Sequence, residues 1–71
     1  MLPSKQRKVV AAQERRWAAQ AFRDEKYNRA QAKRARTNGN VVIARQHEQE
    51  ARWDHWWGCR RMRLANHFNH K

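Results

Sequence analysis

Seventy-one residues bound the chain at one small domain, and the apolar share of 39% lies below the usual range of about 45–50%. Seventeen basic residues against six acidic ones give a net charge of +11, which opposes compaction and calls for a polyanionic partner. A single cysteine excludes an internal disulfide, and no apolar run approaches the roughly 20 residues needed to cross a bilayer.

The chain begins with an extended lead-in, Met1 to Pro3, and Ser4 is placed to cap a helix starting at Lys5. From there to about Arg36 there is neither Gly nor Pro, and alanine, glutamine and arginine dominate, all strong helix formers. One long helix over 5–36 follows. Eleven basic and three acidic residues give this segment a net +8. Spaced at 100° per residue, Val10, Trp17, Ala21, Ala32 and Ala35 share a stripe, with Ala11, Ala18 and Phe22 on its margin. Charges occupy almost every other angle, and Glu14 falls close to the stripe itself. A helix so polar all round is expected to lie against a polar partner.

Thr37-Asn38-Gly39-Asn40 is the break, because Asn-Gly favours positive φ, and Asn40 can cap the next helix. Val41 to Trp57 forms the second helix, whose apolar side is expected to carry Val42, Ile43, Trp53, Trp56 and Trp57 and to do the packing. A β-strand reading of Val41-Val42-Ile43 fails for want of a partner strand. Gly58 is expected to end or kink this helix, and residues 59–68 to add a short basic extension with Met62, Ala65 and Phe68 three apart. No internal repeat and no heptad zipper of apolar residues is expected. The fold class is therefore all-α, over a single unit spanning 1–71. It is either an α-hairpin or an open rod, with little independent core, since eleven of the apolar residues are alanine.

Twelve of the seventeen basic residues are arginine, whose planar fork binds phosphate at two points and stacks on bases. Arg15, Arg16, Arg23, Lys26, Arg29, Lys33, Arg34 and Arg36 on the first helix, with Arg60, Arg61 and Arg63 on the last, are the candidate RNA-contacting cations. Trp17, Tyr27, Trp53, Trp56 and Trp57 are the candidate docking and stacking groups. Arg60 stands one turn beyond Trp56 and Arg61 one turn beyond Trp57, in reach of an indole face.

His55, Cys59, His67 and His70 are too poor in thiolate for a structural zinc site, so no metal and no cofactor is expected. Asp54 or Cys59 beside His55 lacks the pocket and supporting shell that catalysis needs, so no catalytic residue and no small-molecule substrate is expected either. Glu25 with Arg29 and Glu48 with Arg52 are spaced as i,i+4 helix pairs.

These features point to a structural subunit of a large ribonucleoprotein that binds rRNA or another structured RNA beside neighbouring proteins. An accessory ribosomal protein is the first expectation. Its site would be intracellular, and the Arg-rich, acid-poor start admits the mitochondrial matrix. The alternative is an accessory subunit of a large protein or membrane-bound assembly such as a respiratory complex.

Overall fold

The structure, a computed structural model, describes residues 2–69. It contains two helices, α1 (Ser4–Thr37) and α2 (Val41–Asn69), joined by a short turn and packed against each other as an α-hairpin. The result is a rod of 53 × 13 × 12 Å, close to the roughly 50 Å that 34 residues make at 1.5 Å each. Of the two shapes that the sequence admits, the open rod is set aside.

The turn closes as the sequence requires. Gly39 takes φ 77°, the left-handed conformation that a glycine adopts at no steric cost. The amide of Asn40 then donates to the carbonyl of Ala35 at 2.8 Å and that of Gly39 to Arg36 at 3.0 Å, the paired bonds that satisfy a helix C-terminus. Asn40 Oδ1 accepts from the amide of Ile43 at 3.2 Å and so caps α2. At the other end Ser4 is already helical. Pro3 stands at the cap position and forms no side-chain capping bond.

The helices meet through small residues. Ala44, Ala51, Gly58 and Ala65 of α2 are buried and recur every seven positions; Ala11, Ala18 and Ala32 do the same on α1, with Glu25 in the intervening place. A second α1 row, Glu14, Ala21, Asn28 and Ala35, lies beside it. Seven residues fall about 20° short of two full turns, so such a row stays on one side of a helix over several heptads. This seven-residue recurrence is carried by alanine and glycine, so it is not a zipper of large apolar residues and hydropathy alone does not show it.

Three further expectations change. First, Val42, Ile43, Trp53, Trp56 and Trp57 are exposed, so they are not the packing face of α2. Trp53 follows Ala51 by two residues and Trp56 follows it by five, which turns them about 200° and 140° away from the small-residue row. Second, α2 continues through Gly58 to Asn69 without ending there. Its absent side chain is filled by Phe22 of α1: a Cβ at position 58 would stand 2.5 Å from the phenyl ring. Gly58 is thus a packing residue. Third, one side of α1 is covered by α2, and Trp17 stays exposed while Ala11 and Ala18 are buried. The small-core expectation stands, because among the described residues the buried hydrophobic ones are all alanines and no large side chain is fully buried.

Candidate nucleic-acid interface

Polar side chains also line the seam between the helices. Glu14, only 8% exposed, accepts hydrogen bonds from Arg61 Nη1 at 3.2 and 3.1 Å through its two carboxylate oxygens. The Arg61 guanidinium lies 4.5 Å from the centre of the Trp17 ring and 5.5 Å from that of Trp57. Its charge is thus met by a carboxylate and two indole faces, which compensate part of the cost of taking the cation out of water. Nearer the turn, Arg36 Nε donates to Glu48 Oε1 at 2.7 Å. Glu48 is therefore used across the hairpin, and the expected pairing with Arg52 is replaced.

Mid-rod, Asn28 Nδ2 donates to Asp54 Oδ2 at 2.8 Å while Asn28 Oδ1 lies 2.9 Å from His47 Nδ1, which ties α1 to two positions of α2 about two turns apart. Glu25 holds Arg29 at 2.8 Å, as its spacing predicts, and reaches His55 Nδ1 at 3.1 Å. Burial pushes the Glu25 carboxyl up, but the hydrogen bonds and charges of Arg29 and His55 outweigh it and hold the pKa below the usual value of 4.5.

His55 Nε2 lies 3.5 Å from Cys59 Sγ, so carboxylate, imidazole and thiol stand in line. The alignment resembles a nucleophile–base–orienter set, yet the surrounding backbone N–H groups are committed to helical bonds and offer no oxyanion site. Nor do the three converge on a metal, because the ring stands between the carboxylate and the sulfur. Among the described residues no group of three or more His, Cys, Asp or Glu could hold a metal ion. His70 lies outside the described residues.

The internal pairs sort the candidate cations. Arg61 is turned inward, Arg29 and Arg36 are in ion pairs, and Arg23 Nη2 donates to Gln20 Oε1 at 3.0 Å. Arg15, Arg16, Lys26, Lys33, Arg34 and Arg63 are exposed and make no ion pair among the described residues. Arg16, Arg23, Lys26, Lys33 and Arg34 fall on the side of α1 facing away from α2, judged against the alanine rows. This is a basic ridge running along the rod.

The candidate aromatics separate likewise. Trp17 and Trp57 are engaged with Arg61, and Tyr27 is exposed on the outer side of α1. Trp53 and Trp56 stand on the outer face of α2, edge to face with ring centres 5.8 Å apart, and Trp56 meets Trp57 in the same way at 4.9 Å. Arg60 lies over Trp56 at 5.4 Å, as its spacing predicts.

Sequence reasoning did not find the Glu14–Arg61, Arg36–Glu48 and Glu25–His55 contacts. The available signal was position: Glu14 and Arg61 lie 25 and 22 residues from Gly39, and Glu25 and His55 lie 14 and 16, as an antiparallel hairpin requires, whereas Arg36 and Glu48, 3 and 9 residues from it, carry no such signal. Among the described residues no helix is long and apolar enough to cross a membrane. Compared with known protein families, curated proteins and solved structures, the chain matches none.

Proposed function

We propose that this chain is a non-catalytic structural subunit of a large ribonucleoprotein, an accessory ribosomal protein in the first instance, and that it binds structured RNA through the outer surface of the hairpin. The observation that carries this reading is how the acidic residues are used. Glu14, Glu25, Glu48 and Asp54 all bond across the seam between the helices. They hold the hairpin together and leave the outer surface strongly positive.

A rod of 53 Å with cations along its outer side can follow a phosphate backbone over several nucleotides. The paired helices are too thick to enter a B-DNA major groove about 12 Å wide, which admits a single helix. The A-form major groove is too deep and narrow for side chains to read, so contact with phosphates and unpaired segments is the mode that fits.

The experiment is nuclease treatment of the native assembly. Release of the chain by RNase at low salt supports the reading. Retention after RNase, with co-purification in detergent-solubilised membrane protein, would replace it with the accessory subunit of a membrane-bound complex.

A further inference from the structure

The basic ridge of α1 does not involve the outer face of α2, and the two point in opposite directions. We infer that the outer face of α2 is a separate subsite for unpaired nucleotides, whose bases stack on Trp53 and Trp56 while Arg52, Arg60 and Arg63 meet the phosphates. This deepens the RNA reading above and rests on it.

The indoles are 52% and 49% exposed, although each side chain is among the largest apolar groups in the chain. They are held edge to face at 5.8 Å and line a shallow open cleft with Gln49 and Arg52. Exposed aromatic surface of this kind, fixed on a helix and not needed for folding, marks a contact site. The charge around it limits what the occupant can be. Arg52 stands at the cleft, Arg60 covers part of Trp56 and Arg63 follows one turn on, against the single exposed carboxylate of Glu50 one turn before Trp53. The occupant must therefore bring flat apolar groups and negative charge at close spacing.

A nucleotide strand does both, because every base has a stacking face and every residue a phosphate. An anionic membrane brings charge and apolar matter too, but an interfacial helix needs a long clean apolar face. Here Arg45, Gln46 and Gln49 interrupt the outer side between Val42 and Trp53. A second copy of the chain would bring like charge to like.

The test measures binding of the full chain to three end-labelled probes of about twelve residues, within the usual range of single-strand site sizes. They are a mixed-sequence single-stranded RNA, an abasic strand with the same number of phosphates, and an RNA duplex. The variant is Trp53→Ala with Trp56→Ala, both outside the helix seam, with circular dichroism confirming unchanged helix content. The expected result is at least about tenfold weaker binding of the single strand, with the abasic strand and the duplex changed less than about twofold.

Equal weakening on the abasic strand, or none on any probe, overturns the subsite while leaving RNA binding by the chain intact. Failure of the wild-type chain to bind any of the three removes the RNA reading itself, and the subsite with it. Preference of the wild-type chain for phosphatidylserine vesicles over the single strand at equal salt also overturns the subsite. In that case the indoles belong to a lipid surface.

Discussion

At the scale of single residues, the hairpin depends on places where one helix completes the other. Phe22 lies in the space that Gly58 leaves, and a methyl group there would meet the ring at 2.5 Å. Alanine at position 58 gains about 1 kcal/mol of helix propensity, while overpacking costs about 1–3 kcal/mol. Gly58→Ala should therefore lower helicity, and Gly58→Ala with Phe22→Ala should lose less than the two single changes together, by at least about 0.5 kcal/mol of coupling. Additive losses would mean that the ring and the glycine are independent. Arg61 is the second such residue. Arg61→Ala leaves Glu14 covered without its partner and bares Trp17 and Trp57, and should destabilise the paired state by about 1–3 kcal/mol. A red shift of tryptophan emission reports it, and Arg61→Lys should restore only part, because the ammonium lacks the planar fork that lies on the indoles.

At the scale of the elements, the helix pair is joined by alanine contacts reinforced by charged and polar bridges, so its stability should follow pH. The Glu25 carboxyl titrates lower in the paired state than in the open chain. The stability it contributes is thus fully present above its ordinary pKa of 4.5 and is lost as the pH falls through the lowered value. Thermal loss of helix followed from pH 6 to about pH 3 should shift to lower temperature at the acid end. Glu25→Gln should flatten that dependence, and an unchanged profile in the variant would assign the acid response to other carboxylates. The helices and their turn were legible in the sequence, since helix formers without Gly or Pro, an Asn-Gly break and an Asn cap are local signals. So were the Arg60 and Arg61 contacts with the indoles one turn earlier, which depend only on helical spacing. The face on which α2 packs was not legible in the same way. Tryptophans outrank alanines on any hydropathy scale, so Trp53 and Trp56 drew the stripe to themselves, whereas the seam is set by which residues are small enough for two helices to approach. Only the seven-residue recurrence of Ala44, Ala51, Gly58 and Ala65 reveals it.

At the scale of the whole molecule, a rod in which the buried hydrophobic residues among those described are all alanine and whose charge is +11 has a small drive to fold and a large self-repulsion. The isolated chain in dilute buffer should therefore show partial helix that fades gradually on heating, and a sharp cooperative transition in circular dichroism would contradict the weak core. Phosphate bound along α1 would relieve the repulsion, so folding and binding should strengthen together. The most direct measurement is the affinity of the full chain for a structured RNA as a function of salt. With about six cations engaged, log affinity should fall against log salt with a slope near −5 for a duplex, with helix content rising on binding. Affinity that is absent at low salt, or that does not change with salt, would contradict the proposal that the outer cations of this hairpin are matched by RNA phosphate.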